Sequence, residues 1–126
     1  MAYSNEKENI MTVKIAWQYH RKGWTTCKKA QEFLEPISHT ITETIDASKT
    51  KIGLKEALAI TQKASTIIAA KGSKITTLDL KKDKPSNEDI AALIMGPTGN
   101  LRAPTLLVGS TLYIGFNEEA YKKMGS

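Results

Sequence analysis

Two periods of apolar residues alternate along this chain, and the switches between them divide it into elements. Thr12 to Trp17 (TVKIAW) is rich in β-branched and aromatic residues and predicts a strand. After the polar stretch Gln18 to Gly23, apolar Cys27, Ala30, Phe33 and Leu34 recur at steps of three and four, which places them on one face of a helix. Thr25 or Thr26 is its expected cap, because a hydroxyl oxygen satisfies an otherwise unpaired amide of the first turn. Pro36 ends this helix at about Glu35. Thr40 to Ile45 (TITETI) returns to a period of two and predicts a second strand. Strand, helix and strand in so short a span read as a right-handed βαβ unit with parallel strands.

The second half is punctuated by glycine and proline. Leu54, Ala57, Leu58 and Thr61 share a helical stripe, and the apolar pair Ile67-Ile68 extends it, so a helix is expected from Leu54 to about Ala70, stopped by Gly72. Ile75 to Leu80 (ITTLDL) fits a short helix or an extended piece equally well. Ser86 or Asn87 caps the next helix, with Glu88 and Asp89 in its first turn, Ile90 to Met95 apolar, and Gly96-Pro97 as its stop. Pro104 opens the strand Thr105 to Val108, Gly109-Ser110 forms a two-residue hairpin turn, and Leu112 to Ile114 returns antiparallel. Asn117 caps a last helix, with Glu118 and Glu119 at its positive end and Lys122-Lys123 at its negative end.

The totals narrow the class of protein. The length of 126 residues suits one domain, and 40% hydrophobic with 25% charged residues is ordinary for a globular chain. Residues 1–10 are polar and lack an apolar core, so they read as a flexible tail rather than a signal peptide, and residues 11–126 as a single domain. No apolar stretch is long enough to span a membrane, and the expected location is cytoplasmic. The net charge of +5 comes from scattered lysines, with no aromatic-basic platform of the kind that binds nucleic acid. Cys27 is the only cysteine, so no intramolecular disulfide forms and any redox chemistry needs a second thiol from elsewhere. His20, His39 and Cys27 have no metal-ligand spacing, and Gly96-Pro97 with Gly99 makes no phosphate loop.

Strand, cysteine at a helix start, helix, strand, helical lobe, proline-led hairpin and helix follow in the thioredoxin-like order. Thr25-Thr26-Cys27-Lys28-Lys29-Ala30 resembles the C-x-x-C-[RK]-K-A segment of the ArsC/Spx family. Arg102-Ala103-Pro104 resembles that family's Arg-Pro element, Gly115-Phe116-Asn117-Glu118 its Gly-Phe-Asn-Glu at the last helix, and Ile67-Ile68 with Lys71 its Arg-bearing segment. The resemblance runs from about Val13 to Met124. It implies a thioredoxin-like, glutaredoxin-related α/β fold: a central four-stranded mixed sheet flanked by helices, a helical lobe inserted between strands two and three, and a redox end at the start of the first helix. It also implies a cis bond at Ala103-Pro104, and a substrate site at Trp24, Thr25, Thr26, Arg102, Pro104 and Thr105, where Thr105 would pair with an extended peptide. Implied activities are thiol-disulfide exchange or arsenate reduction, with glutathione or another thiol as reductant and no bound cofactor. Implied partners are a protein or peptide thiol, or RNA polymerase, which Spx-type proteins contact. The chain is expected to be a monomer.

Departures from the family pattern bear on catalysis. The first, nucleophilic Cys of C-x-x-C is Trp24 here, and Cys27 holds the second position. The arginine directly before the proline corresponds to Ala103, with Arg102 one place early, the lobe arginine corresponds to Lys71, and the third falls on Gly115-Phe116. Lysine keeps charge but lacks the bidentate fork of arginine. Cys27 then has two readings: a thiol activated by the helix start beside Lys28 and Lys29, or a small core residue sharing a face with Ala30 and Phe33. His20 is either a base for a thiol or a solvated loop residue without a carboxylate to orient it. Three functions stay open: a redox protein with weak or lost catalysis through Cys27, a non-enzymatic Spx-like regulatory or protein-binding module, and a peptide-binding scaffold around Trp24.

Overall fold

A computed structural model describes residues 12–124. The expected flexible tail at residues 1–10 lies outside them, as do residues 125 and 126. Strand β1 (Val13–His20), helix α1 (Thr25–Leu34) and the short strands β2 (His39–Ile41) and β3 (Thr44–Asp46) form the first unit. Both short strands run parallel to β1, with Val13 opposite His39 and His20 opposite Asp46, as a right-handed crossover through α1 requires. The predicted strand at Thr40 to Ile45 is therefore present but interrupted at Thr42-Glu43. The rungs continue through the break, since the Thr42 amide donates to the Ile15 carbonyl and the Gln18 amide to the Glu43 carbonyl, both at 2.9 Å.

The expected helix from Leu54 to Ala70 is corrected. Helix α2 (Leu54–Thr61) stops after two turns, and strand β4 (Thr66–Lys71) takes the rest. Ile67 through Ala70 are all buried, so the run is apolar on both faces, as a strand covered on two sides must be. Ile75 to Leu80 resolves as extended: β5 (Lys74–Asp79) turns back against β4. The inserted lobe thus holds a hairpin as well as α2 and α3 (Asn87–Ile94). Ser86 caps α3 in a reciprocal capping box with Asp89.

The hairpin β6 (Thr105–Val108) and β7 (Thr111–Ile114) turns at Gly109-Ser110, with Gly109 at φ 61. The last helix, α4 (Glu118–Tyr121), is capped by the Asn117 side chain, which accepts from the amides of Glu119 and Ala120. The sheet order is β2-β1-β6-β7-β4-β5, with β3 also on β1. It contains the four expected strands, with the second one broken, and β4–β5 widens it beyond β7.

Two buried clusters cover the sheet. One joins Ala57 of α2 and Ile90 and Ile94 of α3 to Ile67, Leu107 and Leu112; the other joins Ala30 and Leu34 of α1 and Tyr121 of α4 to Val13, Ile15, Leu106 and Tyr113. Each fully buried Ile or Leu contributes about 1.5–3 kcal/mol relative to exposure. A bulge in β1 between Ile15 and Trp17 moves the strand from one cluster to the other. Val13 and Ile15 pack with Leu106, whereas Trp17 and Tyr19 pack with Leu107. That switch leaves Gln18 and His20 on the α1 side and aims Tyr19 at the segment before α2. There its hydroxyl donates to the Thr50 carbonyl at 2.6 Å and accepts from the Ile52 amide at 3.2 Å.

Candidate functional site

The loop between β1 and α1 carries the residues expected at the redox end. Trp24, rather than Thr25 or Thr26, occupies the N-cap of α1, and no side chain caps that end. Both threonines are exposed. Trp24 is itself 46% exposed, with the Arg21 guanidinium carbon 4.5 Å from its ring centroid. Such a cation over an indole face is attractive at an exposed site by about 0.5–1 kcal/mol.

Cys27 lies one turn further in and is 0% exposed. The Arg21 amide donates to its sulfur at 3.4 Å. Burial pushes the thiol above its ordinary range, and the Arg21 amide and charge offset only part of that. Cys27 is thus walled in by its helix, the core and the backbone of Arg21, while the position that faces solvent belongs to an indole. Thiol-disulfide exchange proceeds through an accessible thiolate, and burial and a raised pKa both work against that form of Cys27.

Ala103-Pro104 is cis. Ala103 and Trp24 line one small cavity of about 160 Å³ with Arg21, Lys51 and Asn100. Pro104 and Thr105 are buried, and neither lines that cavity. The expected pairing of Thr105 with an extended peptide is corrected: Thr105 lies opposite Tyr19 on one side and Ile114 on the other, so both its edges are taken. Its hydroxyl donates to the Arg102 carbonyl at 2.6 Å.

Arg102 points away from the Trp24 cavity. Its guanidinium donates to the carbonyl of Leu93, at the end of α3, at 3.2 Å and to that of Ala70, near the end of β4, at 2.6 Å. It ties three chain segments together, and burial lowers its pKa. Thr26 borders a different cleft, with Lys29, Arg102 and Asn117. The structure therefore brings Trp24 and Ala103 to one cavity and leaves Thr25, Thr26, Cys27, Arg102, Pro104 and Thr105 out of its lining.

His20 has a carboxylate that the sequence did not offer it, since it stands opposite Asp46 in the β1–β3 register. Burial lowers its pKa and Asp46 counters in part. Asp46 is held low by the hydroxyl and amide of Ser48. His20 lines a cleft of about 320 Å³ between α1 and β2, with Leu34, His39, Pro104 and Leu106. That cleft does not include Cys27. Among the described residues no group of three His, Cys, Asp or Glu is placed to hold a metal ion.

Sequence reasoning missed Lys51 and Asn100, which come from loops before α2 and before the proline. No local signal marks them. They reach the Trp24 cavity because the Leu101 amide donates to the Ile52 carbonyl at 2.7 Å and locks those loops together. Arg21 was visible only as part of the polar stretch Gln18 to Gly23.

Comparison with known proteins agrees with the architecture. The profile of the ArsC family matches residues 19–124. A protein of Bacillus cereus named global transcriptional regulator Spx 2 is 31% identical over 108 residues, which cover 83% of this chain and 82% of that protein. A protein of the same name from Bacillus anthracis is 30% identical over the same shares. Among the described residues no helix is long and apolar enough to cross a membrane.

Proposed function

The chain belongs to the ArsC family, and on that premise we propose that it is a member whose thiol catalysis is lost and whose redox end has become a protein-binding surface. One observation carries the reading: the single thiol, Cys27, is wholly buried with a raised pKa, while Trp24 stands exposed where a nucleophile would have to be. A half-exposed indole under an arginine offers what a protein contact uses, namely a rigid apolar face with a positive rim. The Bacillus relatives are named as transcriptional regulators. The partner we propose for this chain is accordingly bacterial RNA polymerase, and its role is regulatory. Glutathione or a peptide thiol would meet Trp24 rather than sulfur at this end.

The test is co-elution of the purified chain with purified bacterial RNA polymerase, run beside a disulfide-reduction assay with glutathione. Wild type and Cys27→Ala should bind alike, whereas Trp24→Ala should weaken binding by about tenfold or more, the size expected for a central aromatic contact. Disulfide turnover that depends on Cys27 would overturn the reading.

A further inference from the structure

A second cavity, one loop away from Trp24, has the make-up of a ligand site, and we infer that it binds a small aliphatic phosphomonoester. It measures about 470 Å³ and lies between the β4–β5 hairpin and the C-terminal end of α3. That volume falls in the range of small-molecule sites. Gly96 and Pro97 border it, while Thr98 and Asn100 of the same loop border the Trp24 cavity, so the two are neighbours with separate walls.

Its charges are arranged against folding logic. Lys71 and Lys74 flank the Gly72-Ser73 turn and stand directly opposite each other in the β4–β5 register. Residues paired in this way share a face, and like charges so placed are destabilising. The face is the one toward α3, because Ala69 and Thr76, two residues further along each strand, line the same cavity. Arg102 adds a third cation to the wall. No carboxylate lines the cavity, and neither lysine is ion-paired among the described residues.

The negative end of α3 does not account for the lysines, since Arg102 already donates to the last-turn carbonyl of Leu93. Three cations lining one cavity without an acid match a dianion better than a single carboxylate, because more of the uncompensated positive charge then finds a partner. Apart from Thr76, the remaining side chains of the wall are aliphatic: Ala69, Ala92, Leu93, Met95 and Pro97. It holds no aromatic side chain on which a base or ring would stack. The chemistry that fits is a phosphate head between Lys71, Lys74 and Arg102, with a short aliphatic body along Leu93 and Met95.

The experiment is a titration of the full chain followed by backbone amide chemical shifts, with hexyl phosphate, hexanoate, inorganic phosphate and hexanol as separate probes. Hexyl phosphate should saturate, with shifts confined to residues 69–76 and 92–102. Hexanoate and inorganic phosphate should each bind at least about tenfold more weakly, and hexanol not at all. Lys71→Gln with Lys74→Gln should weaken hexyl phosphate by at least about tenfold, while Lys81→Gln with Lys82→Gln should change it less than about twofold. Without ligand, the first double variant should melt at or above the wild-type temperature, because it removes an unfavourable pair. The inference is overturned by hexyl phosphate that fails to saturate, by hexanoate binding equally well, by shifts elsewhere, or by equal losses in the two double variants. None of these outcomes bears on polymerase binding or on Cys27.

Discussion

Arg102 reaches the carbonyl of Ala70 by passing over Gly115, and the passage is open only because Gly115 has no β-carbon. A β-carbon there would lie 2.6 Å from the Ala70 oxygen and 2.8 Å from the Arg102 Nη2, and the residue sits at φ 77. The Gly-Phe-Asn-Glu motif thus begins with a glycine required by an arginine ahead of the cis proline. The Gly115 amide also donates to the Pro104 carbonyl at 2.8 Å, which fastens the start of the α4 segment to the same loop.

Gly115→Ala should therefore destabilise the protein by about 1–3 kcal/mol, from the left-handed backbone and the close approach together. Chemical denaturation measures it. Arg102→Ala should cost about 1.5–3 kcal/mol by stranding the carbonyls of Leu93 and Ala70. The double variant should lose less than the sum, because Arg102→Ala removes one of the two atoms that the new β-carbon meets.

His20 makes stability depend on pH in a defined direction. Its pKa is below the ordinary 6.5 in the folded chain, so the folded state resists the proton that the unfolded state accepts. Stability should fall as pH drops from 6.5 through the folded value, and His20→Gln should flatten that part of the curve. Melting temperatures at pH 7.5, 6 and 5 for both proteins, with pH values chosen at about these points to bracket the transition, provide the check.

Trp24→Cys should restore a C-x-x-C pair with Cys27. The two positions are three apart, at the N-cap and first turn of α1, where β-carbons approach each other. The new thiol would be exposed and near the free amides of the helix start, so it should react first and Cys27 should resolve it. In a glutathione redox buffer the variant should form a reversible intramolecular disulfide, read by mass and by loss of alkylation. Dimers alone, or two reduced sulfurs, would mean that residues 24 and 27 are not the paired positions.

Much of this fold was legible in the sequence, and the exceptions have physical causes. The β6–β7 hairpin was readable because Gly109-Ser110 satisfies a local turn requirement between two apolar runs. Ile67-Ile68 misled because a strand buried on both faces shows no period, and a helix stripe preceded it. The bulge after Ile15 left no trace in TVKIAW, which alternates plausibly without it. At the candidate site, Trp24 was legible as the residue three places before the single cysteine, at the start of a helix. The work of Arg102 was not, since its partners Ala70 and Leu93 lie on β4 and α3 and are joined only by folding.

Arsenate reduction should likewise be undetectable in the wild-type chain with glutathione and glutaredoxin. Trp24 supplies no thiol, and Arg102 lies outside the Trp24 cavity, where an oxyanion at the redox end would sit. Arsenite formation that disappears in Cys27→Ala would contradict this.

The accessibility of Cys27 to a thiol reagent in the native protein tests the central claim most directly. Its raised pKa means that the folded state holds a proton which the unfolded state releases near the ordinary 9.0. That contribution to stability is intact below this pH and is lost as pH rises through the folded value. With a chromogenic disulfide reagent at neutral pH, the folded chain should react at least about a hundredfold more slowly than the chain in guanidinium, at a rate set by opening of the structure. Labelling of the folded protein as fast as that of free glutathione, with one equivalent consumed per chain, would contradict the account.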